Sequence, residues 1–193
     1  MDRRTALRQF SIVIGGTLLG ADSLLAKNIN WEGMEQAIPP KGIGLFTKAQ
    51  VKFMNEVADT ILPDTKTPGA KAAKTGQFMA VIVSDCYEPD AQTRFMAGLD
   101  QLDATCKKMY GKSFMKCKAN ERHDLLVELD HEQKAFQKNK KSEVPNHYFR
   151  VIKDLTLWGY FTSEIGATQA LRFVEIPGRY ETIEYKKGDR AWG

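Results

Sequence analysis

From residue 46 onward the chain is a train of apolar residues spaced three and four apart, cut at intervals by proline and glycine. That spacing marks amphipathic helices, each with one face to bury. The first is the sharpest. Thr47 is set as an N-cap, Gln50 as its capping-box partner, and Phe46 against Val51 as a hydrophobic staple. Val51, Met54, Val57, Ala58, Ile61 and Leu62 share one apolar face, and Pro63 ends the helix. Pro68-Gly69-Ala70 opens a second helix, with Phe78, Val81, Ile82 and Cys86 along its apolar side. Pro89 suits the first position of a long third helix carrying Phe95, Leu99, Leu102, Cys106 and Met109 and stopping at Gly111. The spacing predicts a fourth helix from about Ala119 to Asp130, with Leu125, Leu126 and Leu129 inward. Pro145 starts a fifth, with Phe149, Ile152, Leu155 and Trp158 on one face. Gly159 and Tyr160-Phe161 break it, and Ser163 caps a short sixth helix to about Leu171. There is no internal repeat and no set of strand-like alternations. The reading is all-α, a compact bundle-like domain of five to six helices with short loops.

The residues ahead of this domain have a different character. Arg3 and Arg4 stand side by side, Leu7 follows, and a mild apolar run extends from Ile12 to Ala21. A positive start followed by a short apolar stretch has the layout of a signal peptide. Paired arginines before a weakly hydrophobic, glycine-containing core resemble the twin-arginine export signal, an address read by a receptor. Arg8 keeps the charge that usually follows Leu7, whereas Ala6 stands where that signal carries an aromatic. A membrane span needs about 20 apolar residues, and Gly15, Gly16 and Thr17 interrupt a run about half as long. Cleavage after Ala26 and retention as an anchor both stand as readings, beside a basic first turn on an apolar helix of the fold. The expected organisation is a signal segment at 1–26, an arm rich in Gly and Pro at 27–44, and the helical domain at 45–193.

Charge and cysteines narrow the function. Of 193 residues, removing the first 26 takes away three arginines against two aspartates and lowers the net charge from +4 to +3. Basic residues are scattered among acids, which does not make a nucleic-acid surface. The lysines between Lys134 and Lys141 read as a solvated loop or helix end. Cys86, Cys106 and Cys117 lack any Cys-x-x-Cys spacing. In an oxidising compartment three cysteines divide into one pair and a spare, or pair with another chain; burial as small apolar side chains is the alternative.

Catalytic patterns are sparse. A di-iron bundle needs Glu-x-x-His from two helices and a glutamate from each of two others. Glu128-Leu-Asp-His131 has that spacing, but Asn120 stands three before His123, and Glu143 lies four before His147 across Pro145. No serine sits in a Gly-x-Ser-x-Gly elbow, and no phosphate-binding loop is present. Asp100 and Asp103 fit a polar helix face better than an acid–base pair. The sequence does not carry the outfit of a free-standing enzyme.

From Trp158 onward aromatics and glycines crowd together, in residue types enriched at binding hot spots. Burial in the core is the plainer reading for Trp158, Phe161 and Phe173, and is expected for about half of them. Several segments read together resemble the gluconate 2-dehydrogenase subunit 3 family. They are Phe46-Thr47 with Gln50, Ile61-Leu62-Pro63-Asp64-Thr65-x-Thr67-Pro68-Gly69-Ala70, Phe95 with Gly98-Leu99, and Phe114. Leu155-Thr156, Gly159-Tyr160-Phe161-Thr162-Ser163-Glu164, Gly166 and Pro177-Gly178-x-Tyr180 complete them. The likeness spans about residues 45 to 182.

The resemblance implies a non-catalytic small subunit with no cofactor of its own, exported to the periplasm. Its implied partner is a large flavoprotein of the glucose–methanol–choline type that binds FAD and oxidises a sugar or polyol. A cytochrome c takes the electrons onward, and membrane association would come through the complex. The small subunit is implied to assist assembly, its twin-arginine signal (Arg3, Arg4, Leu7) carrying the large subunit to the translocation machinery. Motif position and residue type then nominate Trp158, Tyr160, Phe161, Glu164, Pro177, Gly178 and Tyr180 as partner contacts. A bridge from Cys86, Cys106 or Cys117 to the partner is also implied. The competing class is an independent periplasmic helical-bundle metal-binding protein or oxidoreductase using the Glu128/His131 corner.

Overall fold

The computed structural model describes residues 42–176, 178, 182, 184 and 186–193. The segment with Arg3, Arg4 and Leu7, most of the arm, and Pro177 and Tyr180 lie outside the described residues. Five α-helices stand within them: α1 Lys48–Ile61, α2 Thr75–Cys86, α3 Pro89–Tyr110, α4 Ala119–Asn139 and α5 Tyr148–Phe161. A 3-10 turn, Phe114–Lys116, joins α3 to α4, and a π-helical turn, Gly166–Ala170, follows α5. Among the described residues there is no strand, only the isolated bridges Ile43–Phe46 and Arg172–Trp192. The fold is all-α, as expected.

Local punctuation sets the helix ends. Thr47 N–H donates to Gln50 Oε1 at 2.9 Å and Gln50 N–H returns a bond to Thr47 Oγ1 at 3.3 Å, closing the capping box. Phe46 and Val51 are buried, and the Phe46 ring meets Phe95 of α3 edge-on at 5.8 Å. Pro89 is the first residue of α3. Gly111 ends it at φ 70°, a left-handed turn that glycine enters freely, with its N–H on Lys107 O at 2.8 Å.

Helix α5 is the hub, packed against each of the other four. Phe149, Ile152, Leu155, Thr156, Gly159 and Tyr160 are buried along it. They meet Met54 and Val57 of α1, Met79 and Val83 of α2, Leu99 and Leu102 of α3, and Leu125 and Leu129 of α4 in one apolar core. Each such side chain taken out of water contributes about 1.5–3 kcal/mol.

Several expectations change. Trp158 does not join Phe149, Ile152 and Leu155, and is 51% exposed. Steps of three residues drift by about 60° each, so Trp158 ends about 180° from Phe149. Gly159 does not break α5; the helix runs two residues further, and the glycine is a packing contact. Helix α2 begins at Thr75, because residues 70–74 form a turn in which Lys74 is left-handed at φ 55°. Its buried face is Thr75, Gly76, Met79, Ala80 and Val83, which leaves Val81 and Cys86 outward and Phe78 and Ile82 half-buried. Six consecutive apolar residues, Phe78 to Val83, fill the middle of α2, so periodicity alone does not choose its inward side. Helix α4 continues nine residues past Asp130, its polar last turns held by the Lys134–Asp130 pair at 2.7 Å and by Lys140 N–H on Phe136 O at 3.0 Å. Met109, expected inward on α3, is exposed.

Candidate functional site

Two of the most distinctive sequence segments meet in space. The loop from Leu62 to Ala70 folds on itself: Asp64 Oδ1 accepts from Gly69 N–H, Thr65 N–H donates to Thr67 O at 3.0 Å, and Ala70 N–H donates to Leu62 O at 2.9 Å. The Tyr160 hydroxyl, from the last turn of α5, donates to Pro68 O at 2.9 Å. Tyr160 is only 4% exposed, and its phenol is used inside the chain.

Past Tyr160 the helix is rebuilt into a tight turn. Ser163 Oγ donates to Tyr160 O at 2.6 Å and accepts from Gly166 N–H at 3.0 Å, capping the segment that follows. A side chain at Gly166 would fall 1.9 Å from Tyr160 O, so only glycine lets the backbone approach this closely. Leu171 N–H reaches back to Gly166 O at 2.9 Å, the five-residue step of a π turn. Arg190 then donates to Thr168 O at 3.1 Å and to Gln169 O at 2.8 Å, a cation on the turn's outgoing carbonyls. Arg172 pairs with Asp189 at 2.9 Å and lies over the Trp192 ring at 5.6 Å, so the last residues fold back onto the turn.

These interactions hold an apolar ridge in place. On α5 the outward stripe runs Arg150, Asp154, Trp158, Phe161; the first two pair at 2.7 Å and the last two are aromatic. The Trp158 ring meets Phe78 of α2 edge-on at 5.1 Å. Phe78 lies against Gly159, where a Cβ would come within 2.5 Å of its ring. Val81, one turn along α2, is 43% exposed, and Phe161 is 37% exposed. At the far end of α2, Ser84 Oγ accepts from the N–H of exposed Leu45 at 3.0 Å. Beyond the π turn Phe173, Val174 and Ile176 are also open to solvent. Aromatic side chains fixed at a surface have little rotamer freedom left to lose on binding, which is why such residues dominate interaction energies.

The nominated residues separate accordingly. Trp158 and Phe161 form the ridge; Glu164 is exposed beside it; Tyr160 braces it from within. Gly178 is exposed at φ 68°. None of Trp158, Phe161 and Phe173 is core. Phe78, Val81 and Leu45 were not singled out as surface contacts by the sequence. Phe78 and Val81, three residues apart in the unbroken apolar run from Phe78 to Val83, carry no sign of which one faces out.

Elsewhere the charges serve the fold. Arg122 of α4 donates to Glu56 of α1 at 2.6 Å and, with its other nitrogens, to Phe114 O at 3.0 Å and Met115 O at 2.9 Å. Burial raises the Glu56 carboxyl, but hydrogen bonds from Lys71 and Arg122 outweigh it and hold the pKa below the usual range. Glu128 and His131 are exposed on α4, and His131 shares a shallow groove with Lys134 and Lys153, both bonded to Asp130. Two ammonium groups there oppose a bound cation. Among the described residues no three His, Cys, Asp or Glu side chains gather as a metal requires. No described helix is long and apolar enough to cross a membrane.

The family model described as gluconate 2-dehydrogenase subunit 3 matches residues 48–178. The chain belongs to that family. The matched span takes in all five α-helices, the Leu62–Ala70 loop and the turn through Gly166. No curated protein and no solved structure matches the chain significantly. A subunit 3 works beside other dehydrogenase subunits, and a surface for them is the feature this fold would have to supply.

Proposed function

We propose that this subunit 3 chain is the non-catalytic small subunit of a periplasmic, FAD-dependent sugar or polyol dehydrogenase of the glucose–methanol–choline type. It binds the large flavoprotein, assists its folding and assembly, and brings it to the twin-arginine machinery through Arg3, Arg4 and Leu7. FAD is held by the large subunit, and a cytochrome c accepts the electrons. The observation that carries this reading is the braced aromatic ridge, Phe78–Trp158–Phe161, beside the family segment 159–166. Side chains this apolar and this ordered, left half in water, gain most when a partner covers them.

The test is co-expression with a large flavoprotein subunit. The wild-type chain is expected to co-purify with a polypeptide that carries a flavin spectrum. The double variant Trp158→Ala/Phe161→Ala is expected to keep its helical content and to lose at least about tenfold in affinity, since two aromatic anchors contribute about 2 kcal/mol or more. Unchanged co-purification by a folded double variant would remove the ridge from the interface. Stoichiometric iron and oxidase activity in the isolated chain would replace this reading with the metal-binding one.

A further inference from the structure

One buried corner is locked from several sides. Helix α3 stops at Gly111, the 3-10 turn Phe114–Lys116 follows, and Cys117 leads into α4. Phe114 N–H donates to Asp103 Oδ1 of α3 at 2.9 Å, and Phe114 O accepts from Arg122 Nε of α4 at 3.0 Å. Arg122 also lies over the buried Phe114 ring, 5.2 Å from its centre. Lys112 and Glu121 close the turn from outside at 2.8 Å. Inside this frame Cys106 Sγ lies 3.1 Å from Cys117 Sγ, and both side chains are buried. Cys86 is exposed at the end of α2. The three cysteines thus divide by position into a pair and a single.

Two sulfurs joined in a disulfide stand about 2.05 Å apart, so roughly 1 Å of side-chain movement closes this gap. The bonds from Asp103 and Arg122 keep both backbone segments where they are. We propose that Cys106 and Cys117 are a disulfide-forming pair, closed by exchange with a disulfide oxidant, while Cys86 remains a free thiol. Cys117 reacts first, because it follows a three-residue turn and is the less buried of the two (7% against 0% exposed). Its thiolate attacks one sulfur of the oxidant's disulfide, forming a mixed disulfide and releasing one thiol. The Cys106 thiolate then attacks Cys117 Sγ, forming the intrachain bond and releasing the second thiol. Two electrons and two protons pass from the protein dithiol to the oxidant. Burial and the hydrogen bond with Cys117 push the Cys106 thiol up to about 12, so it waits until local opening of the turn exposes it. This inference rests on the corner alone and stands apart from partner and export.

The experiment uses the purified full-length chain, reduced and then incubated natively with oxidised glutathione. It is quenched in acid, unfolded and alkylated, and intact mass is measured before peptide mapping. The expected product carries one alkyl group, on Cys86, and weighs two hydrogens less than the reduced chain with that single alkyl group added; Cys106 and Cys117 appear in one linked peptide. Reduction restores three alkylation sites. Closing a short loop raises Tm by roughly 5–10 °C, an increase expected to persist in Cys86→Ser and to vanish in Cys106→Ser/Cys117→Ser. Three alkylated cysteines after oxidation would overturn the proposal. So would a lasting glutathione adduct on Cys117, or a bond formed through Cys86.

Discussion

Gly159 shows how one absent side chain shapes a surface. Its hydrogen is all that fits between α5 and Phe78, since a Cβ would meet Phe78 Cδ1 at 2.5 Å and Thr75 Cγ2 at 3.1 Å. Because Phe78 can lie flat over the glycine, its ring is in place to receive the edge of Trp158. Gly159→Val is therefore expected to force Phe78 away, costing about 1–3 kcal/mol by overpacking. Trp158→Ala, which empties a surface position, costs about 1 kcal/mol through the lost aromatic contact. Urea denaturation of the two variants checks the order. Equal stabilities would mean that Phe78 has room the packing does not suggest. Tyr160 works in the opposite direction, since its ring and hydroxyl are spent on the Pro68 carbonyl and the core rather than offered outward.

Among the elements, the seam between α4 and α5 is closed by an ionic contact that responds to pH. Asp130 of α4 accepts from Lys153 of α5 at 2.5 Å, and also from Lys134 and from Gln133. Burial raises the Asp130 carboxyl, but hydrogen bonds from Lys134, Lys153 and Gln133 outweigh it and hold it well below the usual carboxylate range. A depressed folded pKa stabilises the fold at every pH above the unfolded value, near about 3.9, and the contribution fades as pH falls from there toward the folded value. Lys153 and Lys134 remain partly in water, so screening limits the gain to about 1 kcal/mol. Asp130→Asn is thus expected to lose about 1 kcal/mol at neutral pH. Its deficit against wild type should shrink once the pH falls below about 4. Urea curves at neutral pH and at about pH 3 measure it. A deficit that stays constant over that range would show that the carboxylate's charge is not what holds the seam.

For the whole molecule, the question is whether the address and the helical domain act together. On the proposed reading, Arg3 and Arg4 export more than this chain, and the helical domain supplies the grip on the flavoprotein. Replacing Arg3 and Arg4 by Lys is expected to strand both polypeptides in the cytoplasm, with their complex still formed. The periplasmic fraction, assayed for flavin and for dehydrogenase activity, reports the outcome. A large subunit that reaches the periplasm regardless would separate export from assembly. The ridge variant Trp158→Ala/Phe161→Ala makes the complementary prediction: this chain is exported alone. Together the two variants distinguish address from grip.

By itself the sequence determined what depends on a few consecutive residues. Thr47 with Gln50, Pro89 at the head of α3 and Gly111 at its foot are local bonds and torsions, and the structure has each where its residue type placed it. The family motifs were legible in the same way, as residue types at fixed spacing. What only the tertiary structure decided depends on neighbours far along the chain. Spacing put Phe78, Val81, Ile82 and Cys86 on the inward side of α2, a misassignment that the unbroken apolar run from Phe78 to Val83 permits; Asn55 of α1, whose Oδ1 accepts Gly76 N–H at 2.9 Å, holds the first turn in place. Tyr160 reads as a surface aromatic until Pro68, 92 residues earlier, is seen to accept its hydroxyl. Trp158 reads as core until the four helices around α5 use up its other sides. Three cysteines are equivalent in the sequence, and only the meeting of α3 with the turn before α4 brings two sulfurs to 3.1 Å. Spacing specifies which residues share a face, but the free energy of burial belongs to pairs of faces, and a pair exists only once the chain has folded.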